Sequence, residues 1–417
     1  MTETPTEFID VARLRIGHYI HLDVGWMSHP FPLNSFKIHS KDQIEAIRTL
    51  GLRRIRYFPL RSDPDPEATA PAAASAGEAF QPLSGGPRRE LLAEQRAGLE
   101  QCERLFSQAS RTFRRITDLA HARPEAGREA AQALVQDMSD GIDGAQESCI
   151  RLLSEKIGER ASVHAINVTV ISLLLARACG MDEAALAAVG LGALLHDVGK
   201  IDLPERLRYH NGHLTTAEQQ FYQEHVRYGV EIARKMNLHQ EVVLAIGQHH
   251  EQADGNGYPA RIDNGRMAPA ARIVSLVDRY DNLCNPGNPC HALTPHEAMS
   301  HLFAQRKHCF DNAVLTTFIR MMGVYPPGSV VQLGDGRYAL VVSVNASRPL
   351  KPCVVIHDPA VPREEALVAD LGGTPELGIR RSLRPLQLPR ASFDYLSPRQ
   401  RLCYFFEPGR ASADGEC

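Results

Sequence analysis

No eighteen consecutive apolar residues occur anywhere in the chain, so the sequence offers no membrane-spanning helix. The longest candidate, "AALAAVGLGALL" at 184–195, is short and rich in alanine and glycine, and reads as a helix buried in a core. The opening "MTETPTEFID" lacks the basic-then-apolar layout of a secretory signal, which leads us to expect a cytoplasmic protein. Cysteine is sparse and unpatterned: nine residues, an odd number, without a C-x-x-C pair, so neither a disulfide scaffold nor a zinc knuckle is expected. An excess of one charge is lacking too. Lys and Arg number 46 against 49 Asp and Glu, a net −3, which leaves no basic surplus for holding duplex nucleic acid. Walker, Rossmann and Ser-His-Asp patterns are missing as well. What the chain does have is room: 417 residues, 43% hydrophobic, suffice for two or three domains with a sizeable core.

Texture divides the chain into five stretches. Residues 1–62 alternate apolar and polar positions, as in "HYIHLDV" and "RRIRYFPL", around the helical "SKDQIEAIRTLGL" with Ser40 as its cap, and predict a small α+β N-terminal domain. Residues 63–90 are rich in Pro, Ala, Ser and Gly and predict a disordered linker. Residues 91–149 predict connecting helices. There Leu99, Cys102, Phe106, Ala109, Phe113, Ile116 and Ala120 form a heptad seam, which suits either packing on its own domain or a homodimer. Residues 150–322 carry helical periodicity, with Asp182 and a Thr215-x-x-Glu218 capping box as helix starts. Residues 323–417 predict a β-rich C-terminal region, with "SVVQLGDGRYALVVSVN" as two strands about a Gly-Asp-Gly turn and "PCVVIHD" as a third. The expected fold class is mainly α: a helical catalytic domain with a small α+β module before it and a β-rich appendage after it.

Five helical segments of the middle region each offer a metal-ligand type on an apolar stripe. His164 aligns with Val168 and Ile171, and His196 and Asp197 end the apolar run of "LGALLHDVGK", where Gly199 looks like a helix stop. His225 falls on the stripe of Phe221, Gly229 and Ile232. His249 and His250 follow Ala245 and Ile246, and Asp278 aligns with Val274, with Asp281 three residues on. Taken singly, each is more often a hydrogen-bonded core residue, and Asp278 beside Arg279 suits an ion pair equally well. Jointly they are harder to dismiss, because burying five imidazoles and two carboxylates without partners costs several kcal/mol. Coordination removes that cost, and nitrogen and oxygen donors without sulfur suit iron, manganese, nickel or zinc better than calcium.

"HDVGK" (196–200), "HH" (249–250) and "DGNGYP" (254–259) together resemble the HD-GYP family, the branch of metal-dependent HD phosphohydrolases that hydrolyses cyclic di-GMP. The N-terminal "LRIGHYIHLDVGWMSHPF" resembles the small domain of unknown function that often precedes HD-GYP domains. The resemblance implies a phosphodiesterase cutting cyclic di-GMP to pGpG, with GMP as a further product. It implies two divalent ions, iron or manganese, on His164, His196, Asp197, His225, His249, His250 and Asp278, with Asp197 bridging. Lys200 would hold a substrate phosphate. Gly257, Tyr258 and Pro259 would form a loop bordering the substrate and open to a signalling partner protein, or a plain tight turn with Gly257 at positive φ.

The chain departs from that family pattern in two places. Members with three metals carry a glutamate where this chain has Arg160, with Glu159 about 100° around a helix, so two metals are expected and Arg160 reads as a surface residue. After "DRYDNL", members carry a basic pair that grips the dinucleotide phosphates, whereas "CNPGNPC" puts Gly287 and Cys290 at those positions. Arg261, Arg266 or Arg272 could compensate, or Arg272 could serve a structural ion pair. The alternative function is a catalytically weak or inactive nucleotide sensor or partner-docking regulator.

Overall fold

In this computed structural model the described residues are 7–22, 35–38, 41–50, 52, 54–59, 62, 86–143, 149–153, 160–208, 214–345, 351–373 and 377–407. They belong to two compact units, Met1–Ser84 and Gly85–Cys417. In the first, strands β1 (Glu7–Asp10), β2 (Tyr19–His21), β3 (Ser35–Lys37) and β4 (Arg54–Tyr57) form an antiparallel sheet in the order β1-β4-β2-β3. Helix α1 (Lys41–Thr49) contributes Ile44 and Ile47 to a core with Val11, Leu14, Ile20 and Ile55. The small α+β module is therefore present; Ser40, its expected helix cap, lies outside the described residues.

The second unit opens with a helical hairpin, α2 (Gly86–Ala122) and α3 (Pro124–Asp143). Residues 63–85 of the expected linker lie outside the described residues, and α2 already starts at Gly86, with Pro87 in its first turn, where its missing N–H costs nothing. The heptad seam from Cys102 to Ala120 is buried in this unit's own core. That apolar face packs within the unit, the first of the two arrangements the heptads suit.

Strand β5 (Cys149–Leu152) precedes α4 (Arg160–Ala178) and α5 (Glu183–Leu195). A 3-10 turn (Val198–Asp202) then leads through α6 (Glu205–Arg208), α7 (Thr216–Gln223), α8 (His225–Lys235) and α9 (Gln240–Gln248) to α10 (Pro269–Cys284). Helices α11 (Pro295–Gln305) and α12 (Asn312–Met322) follow. Asp182 caps α5 by accepting from Ala185 N, and Thr215 with Glu218 makes the expected capping box of α7. Two helical stretches, Arg160–Ala178 and Glu183–Asp202, have the length and hydropathy to cross a membrane, yet 78% and 67% of those windows are buried inside this unit, as expected of core helices.

The remaining strands are β6 (Val330–Leu333), β7 (Tyr338–Asn345), β8 (Cys353–Ile356), β9 (Val368–Asp370), β10 (Ile379–Leu383) and, after α13 (Arg390–Leu396), β11 (Tyr404–Glu407). With β5 they form a seven-stranded sheet. The C-terminal sheet is thus stitched into the helical body: β5 lies between β7 and β11, and Phe405 meets Phe106 of α2 edge-on, ring centroids 6.2 Å apart. At four residues, β5 is too short to carry a periodic signal.

Candidate metal centre

All seven expected ligands converge. His164 comes from the first half of α4, His196 caps α5, Asp197 opens the 3-10 turn, His225 starts α8, His249 caps α9 with His250 next, and Asp278 sits in mid-α10. Their ligand-type atoms form two groups, Asp197-His225-His249-His250 and His164-His196-Asp278, each within 4.8 Å. Asp197 faces both. Its Oδ2 lies 3.4 Å from His196 Nε2 and 3.6 Å from His164 Nε2, and its Oδ1 lies 3.5 Å from His225 Nε2 and 3.8 Å from His249 Nε2.

Local geometry fixes which ring nitrogen is offered. Nδ1 of His196, His225 and His249 donates to the carbonyl three residues back, at Ala193 (2.7 Å), Tyr222 (2.6 Å) and Ile246 (2.7 Å). His164 Nδ1 donates instead to Asp281 Oδ2 at 2.7 Å. With the proton held at Nδ1, the neutral rings of His225 and His249 keep the lone pair on Nε2. Nε2 of His225, His249 and His250 and Oδ1 of Asp197 are buried without a hydrogen-bond partner. Orphaned buried acceptors converging on one point are what a cation relieves, so this donor set fits divalent metal ions.

The charges divide in the same way. Burial pushes His225 and His249 down and His250 down to about 3, leaving three neutral imidazoles. At His196 burial acts in the same sense, but the Asp197 and Asp278 carboxylates outweigh it and raise the imidazole to about 10. Asp197 and Asp278 are held well below the usual carboxylate range: burial opposes this, and Lys200 with His196 on the first, His164 with His196 on the second, overcome it. A proton on His196 here balances the two carboxylates, a task a cation performs better in a buried site.

Lys200 ion-pairs with Asp197 and lies 5.4 Å from the centroid of the Tyr222 ring, inside a cavity of about 620 Å³ that also opens onto His164, His249 and His250. Tyr258 stacks on His250, centroids 4.6 Å apart, and lines the same cavity; Gly257 and Pro259 do not line it. Gly257 has no positive φ; that conformation belongs to Gly255 (φ 75°). Gly257 is required because a Cβ there would lie 2.4 Å from Gln252 N and Glu251 Cα. The loop is held by buried Glu251, whose carboxylate accepts from Ala260 N (2.6 Å) and Ile262 N (3.1 Å).

Other expectations need correction. Gly199 is not a helix stop: it lies inside the 3-10 turn, where a Cβ would meet His225 O at 2.0 Å and Gly229 N at 2.3 Å, so glycine is set by backbone packing against α8. Phe221 is exposed and lies in the last turn of α7 rather than sharing a stripe with His225, because the helix breaks at Glu224. Arg160 is no plain surface residue, since it lines the cavity. Arg261, Arg266 and Arg272 do not line it. Arg272 is structural, donating to Met267 O (3.2 Å) and pairing with Asp311 (3.4 Å). Sequence reasoning also passed over Asn167 and Asn285, whose amides both donate to Asp281 Oδ1, at 2.8 and 2.9 Å.

Comparison with known proteins agrees with this geometry. Residues 118–314 match the model of the HD domain, and residues 7–131 that of a domain of unknown function, DUF3391. The chain is 26% identical over 377 residues to a cyclic di-GMP phosphodiesterase of Pseudomonas aeruginosa, covering 87% of this chain and 88% of that one. It is 32% identical over 149 residues to the cyclic di-GMP phosphodiesterase response regulator RpfG of Xanthomonas campestris, and 27% over 186 residues to a 3'3'-cGAMP-specific phosphodiesterase of Vibrio cholerae. These matches cover 35% and 44% of this chain and span only 39% and 33% of the two relatives' lengths. With the "HDVGK", "HH" and "GYP" residues in and around one site, residues 118–314 match an HD domain that resembles the HD-GYP form, and residues 7–131 match DUF3391.

Proposed function

We propose that this protein is a metal-dependent phosphodiesterase that hydrolyses cyclic di-GMP to linear pGpG and, by a further cut, to GMP. One observation carries the reading: Asp197 turns one carboxylate oxygen toward each of two histidine groups, and in one of them Nε2 of His225, His249 and His250 is buried without a hydrogen-bond partner. His196, His164 and Asp278 would hold one ion and His225, His249 and His250 the other, with Asp197 shared. When bound, the two divalent ions, iron or manganese, supply an activated water and neutralise charge on the scissile phosphate.

The protein's own groups do the rest. Asp281 holds the His164 ring through Nδ1 and so aims its Nε2. Lys200, kept cationic beside Asp197 despite burial, stands ready to take up charge on a phosphoryl oxygen. Tyr258, stacked on His250, walls the site and limits access of bulk water. In this reading residues 1–62 form the sensing module and 150–322 the catalytic domain. Elemental analysis of the purified protein, together with chromatography of products from cyclic di-GMP under reducing conditions, tests the proposal. Iron- or manganese-loaded protein that leaves cyclic di-GMP intact would remove it. The neutral Gly287 and Cys290 favour a second reading, a metal-bearing nucleotide sensor or docking partner without turnover; binding without product would identify that case.

A further inference from the structure

The family's basic pair is missing at Gly287 and Cys290, yet the cavity is not short of positive charge. Arg160, Arg279, Arg306 and Arg401 line it. Among the described residues none of their side chains makes an ion pair, and Arg306 Nε is buried without a hydrogen-bond partner. Unpaired guanidinium groups crowded into one cleft repel each other and leave their forked donors unused, which an anion corrects. Arg160 begins α4, whose first turn holds no acidic residue, so the helix dipole adds to the positive field there. The pKa of Arg160 lies below its ordinary value, first through burial and next through the charge of Arg401.

Arg401 arrives from far along the chain, on the segment between α13 and β11, and that segment is clamped. Leu402 N donates to Asn285 Oδ1 (2.8 Å), and Leu402 O accepts from Asn285 Nδ2 (3.0 Å) and Asn167 Nδ2 (2.8 Å). Tyr404 N donates to Asn167 Oδ1 at 2.8 Å. Asn285 belongs to the same "CNPGNPC" stretch that lacks the basic residues. That stretch carries no charged side chain and, through Asn285, docks the backbone that carries Arg401.

We propose that Arg401 and Arg160 form the grip on the second, unreacting phosphate of a cyclic dinucleotide, replacing the absent basic pair, with Asn285 positioning the segment that delivers Arg401. This inference rests on the phosphodiesterase reading above. It divides the cavity in two: one phosphate at the His/Asp centre beside Lys200, the other between α4 and the 399–404 segment.

Calorimetric titration of the manganese-loaded full chain with cyclic di-GMP and, separately, with GMP tests it. Arg160→Gln and Arg401→Gln should each weaken cyclic di-GMP about tenfold to a hundredfold, the range of one charge-assisted hydrogen-bonded contact. GMP, whose single phosphate goes to the metal centre, should change by less than about twofold. If Arg401→Gln lowers the melting temperature, Arg401→Lys replaces it and should give a smaller but still selective loss. Wild-type affinity for cyclic di-GMP in both variants, or equal loss for both ligands, overturns the inference. Wild-type protein that binds cyclic di-GMP but yields no product refutes the phosphodiesterase reading alone, and the selectivity of the variants still decides this one. Loaded wild type that binds no cyclic di-GMP overturns both.

Discussion

Replacing Asp281 with alanine should damage stability and metal retention together. Its carboxylate is fully buried and accepts from His164 Nδ1, Asn167 Nδ2 and Asn285 Nδ2. Asp281→Ala strands one buried and two part-buried donors, each costing up to about 1–3 kcal/mol when unsatisfied. Both asparagine amides also reach Leu402 O and so keep one acceptor, which places the total near ~3–5 kcal/mol. For a unit of this size that is a fall in melting temperature of roughly 10 °C. His164 loses the acceptor that fixes its tautomer and ring plane, and metal affinity should drop about 10- to 100-fold. Bound metal itself raises the melting temperature, so the scans are run with and without a chelator, and metal content is measured after dialysis against a buffered chelator. A variant that melts within about 2 °C of wild type in the chelated state and retains its metal would show that Asp281 neither supports the core nor aims His164.

Gly199→Ala should disturb the site without touching a ligand: its methyl would drive into His225 O and Gly229 N, pushing the start of α8, and should cost about 3 kcal/mol with partial loss of metal; unchanged metal content would contradict the packing argument. Asp311 caps α12 by accepting from Ala313 N and Val314 N, and its other oxygen accepts from Asn264. Burial raises its pKa, but these hydrogen bonds and then Arg272 outweigh it and the value lies below the ordinary 3.8. A depressed carboxylate pKa contributes stability above the unfolded value and loses it as pH falls through the folded one. The gap between wild type and Asp311→Asn, about 1 kcal/mol, should therefore hold from neutral pH to about 4 and close below it in acid titrations of unfolding; a gap that widens in acid would reverse the sign. Phe106→Ala empties a buried ring site against Phe405 and should cost about 3–5 kcal/mol with the molar mass by light scattering unchanged; a change in mass would mean the α2 seam also joins two copies.

The convergence of the candidate ligands was legible because most of them are rare residue types beside apolar positions, and burial without partners is costly enough to single them out. His164, His196 and Asp278 illustrate it: each stands among Val, Leu and Ile in the sequence and in the core. What stayed hidden depends on contacts between distant segments. Asn167 looks like an ordinary helix residue until Tyr404 is placed against it, and Arg401 lies about 240 residues from Arg160, in a stretch with no motif. Glycine was misread twice for one reason. Positive φ is a local property that sequence suggests well, whereas Gly199 and Gly257 answer to backbone from another segment.

The clamp of Asn167 and Asn285 on Leu402 and Tyr404 also sets a timetable. The bond from Asn167 to Tyr404 joins positions 237 apart, and the pairing of β11 with β5 is equally remote. Contacts of such sequence separation form late. The helices that hold the histidines are made first, and the backbone groups of Leu402 and Tyr404 that settle Asn167, with Arg401 beside them, are synthesised after them. Until the β11 segment has been made and paired with β5, Asn167 lacks the backbone groups of Leu402 and Tyr404 that hold it.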